Sequence, residues 1–327
     1  MSLVGIIANP ASGKDIRRLV AYGSAFDNQE KVRIVRRILL GLVAVGVEEV
    51  CYMPDFHGIV PRALDSLKID IPVSPLNFNT KADQRDSTEA GRIMEEKGAT
   101  CIVTLGGDGT NRVVAKGTCR VPILPISTGT NNVFPFMVEA TVAGLAAGLV
   151  ARALVPLEES TFSSTKLQVK LDGTEVDMAL VDVAVCEDLF VASRAIWDMQ
   201  KVRQLFLNRA EPGNIGLSSI GGQLHPVRAD EPHCLCLDLG DNGRVVKAPV
   251  APGVIEDVTI SKYSVMDIGD EVKITTAPSV LALDGEREVE VRPGQDAVIR
   301  LAKDGPVVVD VSRTMASAMR RKVLAPQ

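Results

Sequence analysis

Two textures of sequence predict an α/β fold built as two domains. Up to about Arg152, short apolar runs alternate with stretches of helical spacing, which implies βαβ units and a parallel, Rossmann-like sheet. Beyond it, period-two runs are punctuated by turn signals at Asp172-Gly173, Asp241-Asn-Gly243, Pro293-Gly294 and Asp304-Gly305, the pattern of a β-rich, sandwich-like domain. A length of 327 residues fits two domains of about 150 residues each. The expected boundaries are 1–137 for the α/β domain and 138–312 for the β-rich domain, with 313–327 a C-terminal segment packing back on the first.

Each element follows from its local pattern. Leu3 to Ala8 is an apolar strand; Val32, Val35, Leu39, Leu42 and Val43 then recur at helical spacing, and Glu48 to Tyr52 reads as a second strand. Ile71 to Pro75 is a short strand, and Ala90, Ile93 and Met94 mark the apolar face of a helix from about Ala82 to Lys97. Strands follow at Cys101 to Leu105 and Pro122 to Ile126, and Val138 to Ala153, rich in Ala, Gly, Leu and Val, reads as a buried helix. Lys166 to Lys170 and Val176 to Val185 alternate on either side of a hairpin turn. Ile196, Trp197, Val202 and Leu205 predict one helix inside the second half, around Ser193 to Leu207, and Met315 to Val323 a last one. There is no internal repeat.

Composition narrows the function classes. With 46% hydrophobic and 24% charged residues the chain is an ordinary folded protein. A balance of 36 basic to 41 acidic side chains, net −5, argues against nucleic acid as a partner. Arg17-Arg18, Arg36-Arg37 and Arg320-Arg321-Lys322 read as solvated faces. The six cysteines and the scattered His57, His225 and His233 lack metal-ligand spacing, so no metal-ligating residues are expected. The start of the chain has no basic leader, and no uncharged apolar stretch reaches about 18 residues, so a reduced, cytoplasmic location without stable membrane association is expected.

Chemistry concentrates in three loops that follow strands, where open parallel sheets bind ligands. In Gly106-Gly-Asp-Gly-Thr110, glycines can take angles closed to other residues and let an anion approach main-chain N–H groups. Asp108 is the only ionisable group in that loop. A carboxylate beside a bound phosphate suits phosphoryl transfer, either accepting a proton from an attacking hydroxyl or organising a metal, whereas the bland alternative is a helix cap. Asn9-Pro-Ala-Ser-Gly-Lys14 is not a Walker loop, since its first glycine is missing and Asp15 stands where the hydroxyl belongs. Even so, Asn9 can offer an amide, Ser12 a hydroxyl and Gly13 an open N–H to a phosphate. Ser127 to Asn132 is the third loop. Asp284-Gly285-Glu286 reads, by spacing alone, as a hairpin turn like Asp172-Gly173.

Together Asn9-Pro-Ala-Ser-Gly-Lys14, Gly106-Gly-Asp-Gly-Thr110, Pro125-Ile-Ser-Thr-Gly-Thr-Asn131 and Leu283-Asp-Gly-Glu286 resemble the NAD kinase and diacylglycerol kinase superfamily over most of the chain. The extended Gly-Gly-Asp-Gly-Thr-Asn-Arg112, followed by Val-Val-Ala-Lys-Gly117, is most similar to the AcoX-type, acetoin-catabolism members. The resemblance implies ATP, with Mg²⁺, in the cleft between an α/β and a β-rich substrate domain. It implies Asp108 as base or metal organiser and Glu286 as a second catalytic residue. Nucleotide contacts would come from Asn9, Ser12, Gly13, Gly106, Gly107, Gly109, Thr110, Asn111, Thr128, Gly129, Thr130 and Asn131. The γ-phosphate would pass to a hydroxyl of NAD or a related nucleotide, a step of NADP biosynthesis. Two departures stand out: Leu180-Val-Asp182 replaces the Asn-Glu pair of NAD kinases, and Gly216-Leu-Ser-Ser-Ile-Gly-Gly222 echoes only part of another of their segments. The alternatives are a diacylglycerol-like lipid kinase, or a catalytically inactive nucleotide-binding regulator that kept the phosphate loops. The expected partners are a small-molecule acceptor and further copies of the chain in a homo-oligomer.

Overall fold

The computed structural model describes residues 2–13, 22, 26–65, 67–118, 120–187 and 199–325. Its first half alternates β1 (Leu3–Ala8), α1 (Asn28–Ala44), β2 (Glu49–Tyr52), α2 (Ile59–Leu64), β3 (Val73–Pro75), α3 (Gln84–Glu96), β4 (Cys101–Gly106), α4 (Asp108–Gly117), β5 (Ile123–Ser127) and α5 (Ala140–Ala151). A short helix α6 (Leu157–Ser160) and strand β6 (Thr161–Ser163) lead into the second half. There β7 (Lys166–Leu171), β8 (Thr174–Ala179), β9 (Asp182–Cys186), β10 (Val202–Leu207) and helix α7 (Ser218–Gly222) are followed by β11 (His233–Ala251) and β12 (Val254–Asp267). The chain closes with β13 (Glu271–Lys273), β14 (Ser279–Leu283), β15 (Glu286–Val291), β16 (Ala297–Ala302), β17 (Val307–Val309) and α8 (Val311–Arg320).

A seven-stranded sheet in the order β3-β2-β1-β4-β5-β17-β6 forms the first layer; every pairing is parallel except β17 with β6. One face packs against α1, α2, α5 and α8 through Val35, Ile38, Leu42, Ala143 and Ala318, and the other against α3 and α4 through Ala90, Met94 and Val114. Its inner strands β1, β4 and β5, buried on both faces, are apolar runs, which is why their limits were legible. The register sets Ala8 beside Leu105 and Gly106 beside Ser127, so three loops leave the sheet side by side.

The second half is a sandwich of two antiparallel sheets, β12-β11-β10-β9-β14-β15 and β13-β16-β7-β8. Leu167, Val169, Val183, Phe206, Leu281 and Ile299 fill the space between them. The helix expected around Ser193 to Leu207 is corrected here. Residues 193–198 lie outside the described residues, Met199–Lys201 is a single 3₁₀ turn, and Val202–Leu207 is a central strand. Phe206 faces the sandwich core, whereas Leu205 and Leu207 face a second cluster with Ile220 and Leu235. Burial on both faces erased the alternation that identifies a strand. The run expected as one strand from Val176 to Val185 is likewise two, β8 and β9, broken at Leu180-Val181. Among the described residues no helix is long and apolar enough to cross a membrane.

Candidate active site

The three loops at the carboxyl edge of the parallel sheet meet the β14–β15 turn of the sandwich around one cavity of about 1170 Å³. Asn9, Ser12, Gly13, Gly107, Asp108, Gly109, Thr110, Gly129, Thr130, Asn131, Asp284 and Glu286 line it. Gly106, Asn111 and Thr128 stand behind that lining. A wall absent from the sequence reading comes from the loop after β2, at Asp55, Phe56 and His57, and from the start of α3, at Asp83, Arg85 and Asp86.

Asp108 opens α4 yet does not cap it. Its carboxylate reaches across to the third loop and accepts the backbone N–H of Val133 at 3.0 Å and of Phe134 at 2.7 Å. Burial pushes its carboxyl up to about 7, and the nearby Asp284 charge adds to the rise against the two amides and Arg209. Gly107 takes the N-cap position without a side-chain bond, so the first-turn amides of Gly109 and Thr110 and the positive end of the helix face the cavity. None of Gly106, Gly107 and Gly109 has a positive φ, so the expected reason for these glycines is corrected. Close approach is the reason for two of them: a Cβ at Gly106 would lie 2.4 Å from Thr110 Cβ and one at Gly107 2.7 Å from Asn132 Oδ1, whereas one at Gly109 would press on Glu286 Oε1 at 3.2 Å.

Side chains expected to meet phosphate also stitch the loops together. Asn9 Nδ2 donates to Thr110 Oγ1 at 2.9 Å, Asn9 Oδ1 accepts from Ala11 N, and the Ser12 and Thr128 hydroxyls share a 2.8 Å bond. Asn111 is fully buried; its amide donates to Gly107 O and its Oδ1 accepts from Thr104 Oγ1 at 2.6 Å, a strut between β4 and α4. Asn131 Oδ1 is buried without a hydrogen-bond partner among the described residues. Beneath the first loop, fully buried Lys31 of α1 donates to Asn9 O, Ser12 O and Asn28 Oδ1 at 2.7 to 3.1 Å. The sequence carried a signal for it, a lysine on the apolar stripe Lys31, Val35, Ile38, Leu42.

Asp284 separates itself from the other Asp-Gly turns by burial. At φ 51° its carboxylate accepts the N–H groups of Leu180, Val181 and Asp182, which is what breaks β8 from β9. The side chain of Arg112, on α4, is fully buried, with Nε 3.7 Å from Asp284 and other nitrogens 3.4 Å from Asp177 and 3.2 Å from Glu288. Those acidic neighbours raise its guanidinium value although burial opposes them. Arg209, just past β10, is also buried; its guanidinium lies 4.1 Å from the centre of the Phe134 ring and donates to Phe134 O at 3.1 Å. Arg112 closes the extended Gly-Gly-Asp-Gly-Thr-Asn-Arg motif but carried no assigned role in it, and Arg209 was marked by no motif.

A parallel sheet, a β-sandwich and a carboxylate at the floor of the cleft between them give the chain a kinase-like fold of the NAD kinase type. The chain matches the ATP-NAD kinase N-terminal domain over residues 4–154 and the acetoin catabolism protein X C-terminal domain over residues 165–304. It is 34% identical over 336 residues to the acetoin catabolism protein X of Cupriavidus necator, covering 98% of this chain and 94% of that protein. The chain belongs to the acetoin catabolism protein X family. Two solved structures of a protein provisionally described as a diacylglycerol kinase, from Bacillus anthracis str. Sterne, align at TM-score 0.46 with 14% and 13% identity. Those alignments cover 94% of this chain and 97% or 98% of theirs.

Proposed function

We propose that this chain is an ATP-dependent phosphotransferase in which Asp108 is the general base toward an acceptor hydroxyl. The observation that carries the reading is the setting of Asp108: the carboxylate is fixed by two amides at the floor of a cleft lined by backbone-rich loops, with its carboxyl near 7. A base with that value is about half ionised at neutral pH and basic enough to take a proton. The cavity suits a nucleotide in size. Phosphate oxygens would be held by the amides of Gly107, Gly109 and Thr110 at the start of α4 and by the Gly129 to Asn131 loop. Among the described residues no group of three or more His, Cys, Asp or Glu could hold a metal; Mg²⁺ bound to the triphosphate would supply neutralisation of the charge that develops on it. Asp108 then accepts the hydroxyl proton as the acceptor oxygen bonds to the γ-phosphorus and the bond to the ADP oxygen breaks. Glu286, over Gly109, is the second catalytic candidate.

NAD or a related nucleotide is the acceptor we favour. The match to the ATP-NAD kinase N-terminal domain supports it, as does the Gly216 to Gly222 segment, whose first glycine approaches Asn131. The test is transfer from ATP with Mg²⁺ to NAD, NADH and a diacylglycerol panel, run beside Asp108→Asn. NADP or NADPH formation that disappears in the variant is the expected result. Transfer to lipid alone moves the chain to the other branch, and nucleotide binding without any transfer makes it a regulator.

A further inference from the structure

Arg209 has no place in the chemistry above, yet it is a costly group beside it: a guanidinium taken out of water in a domain whose reacting carboxylate belongs to the other half of the fold. Its residue is 2% exposed, and burial lowers its value to about 10 against the pull of Asp108, Asp284 and Glu211. Its contacts are unusually concentrated. Nη1 donates to Phe134 O at 3.1 Å, the guanidinium stacks on the Phe134 ring at 4.1 Å, Nη2 reaches Ser164 Oγ only at 3.5 Å, and Nε has no hydrogen-bond partner among the described residues. A single residue, Phe134, is thus held by its carbonyl and by its ring. The amide of that same residue makes the shortest bond to Asp108, 2.7 Å.

The backbone beside Arg209 is equally fixed. Asn208 is buried, donating its side-chain amide to Thr165 O and Leu180 O while its Oδ1 accepts from Thr165 Oγ1 at 2.6 Å. Arg209 is therefore a rigid extension of the sandwich pressed against a loop of the parallel-sheet domain. We propose that Arg209 is a positioning residue: through Phe134 it aims the Asp108 carboxylate from the second domain, so that the base is in place only while the two domains are docked. The inference rests on the reading of Asp108 as the base.

Two measurements on Arg209→Met and Arg209→Lys test it. The first is amide hydrogen exchange over residues 128–137, which needs no activity. Loss of the clamp is expected to accelerate exchange of Val133 and Phe134 at least about tenfold in Arg209→Met, while β4 and β5 keep wild-type protection. The second is steady-state transfer. kcat is expected to fall about 100-fold with KM for ATP within about twofold, because Arg209 holds Phe134 and bonds to none of the residues assigned to the phosphates. Arg209→Lys can still donate to Phe134 O but cannot stack as a planar fork, so it should lie between the two in both measurements. A well-folded Arg209→Met with wild-type exchange, or one with faster exchange and unchanged kcat, overturns the proposal. If Arg209→Met does not fold, Arg209→Lys at wild-type values in both measurements overturns it equally. If the wild type transfers phosphate to nothing, the kinase reading fails while the exchange result still decides whether Arg209 holds the Asp108 loop.

Discussion

Asp108 carries a burial cost that makes it testable in two ways. As a base it must be ionised, so kcat/KM should rise with pH through about 7 and level off above. Asp108→Asn should lower transfer about 10²- to 10⁴-fold while binding of ATP is largely kept, which calorimetry beside the kinetic assay checks. The same displacement acts on stability with a definite sign. The folded value near 7 lies above the ordinary 3.8, so the folded state binds this proton more tightly and its contribution is full below about pH 4 and lost as pH rises through 7. That loss is on the order of 3 to 5 kcal/mol. Thermal midpoints of the wild type should therefore decline from pH 4 to pH 8 more steeply than those of Asp108→Asn. Asp284, also raised by burial, keeps a residual slope of the same sign in the variant. The motif around Asp108 was legible because glycines and one acid form a pattern, although their purpose is close approach rather than unusual backbone angles. Asp284 was not separable from Asp172, since both take positive φ in an Asp-Gly turn and only burial tells them apart.

Among the elements, α1 does more than cover the sheet. Asp27 caps it by accepting from Glu30 N, and its inward stripe places Lys31 under the first loop, where the ammonium ties Asn9 O and Ser12 O to the helix. Lys31→Met removes those bonds while keeping the length of the side chain. The expected result is a KM for ATP raised about tenfold with kcat less affected, together with a stability loss of about 1–3 kcal/mol from the carbonyls left unpaired, read by thermal unfolding and by saturation kinetics. Unchanged KM in a folded variant would detach Lys31 from the site. Helical stripes and apolar runs were read correctly wherever one period dominated, as in β1, α1 and α3. They misled at β10, where two cores claim alternate residues of one strand, and at Leu180-Val181, where a carboxylate 104 residues further on along the chain takes the amides that would have continued β8.

At the scale of the whole molecule, the two halves are bound together by charge and by topology. Arg112 on α4 meets Asp284, Asp177 and Glu288 from the sandwich, so Arg112→Leu should cost about 3–5 kcal/mol by removing the cation beside the buried Asp284 and the partly buried Asp177 and Glu288, measured by denaturant unfolding. The topological link is the return of the chain after the sandwich is complete. β17 enters the first sheet between β5 and β6, with Val308 opposite Ile123 and Phe162, and α8 follows with Thr314 bonded to Ser160 O and Ser317 to Glu159. Three residues of strand leave no periodicity to read, which is why this pairing was invisible in the sequence. Its consequence is that a cut after Gly305 should damage the domain farthest away along the chain. Without β17, the outer edge of β5 loses its partner, and β5 delivers the Ser127 to Asn132 loop to the cleft. Hydrogen exchange in residues 123–127 should then rise well above that of β10 and β14, and ATP binding should weaken although every residue lining the cleft is still present. Uniform exchange across both halves of the shortened chain, or β5 protection equal to that of the full chain, would show instead that α5 and β4 hold this edge without the returning strand.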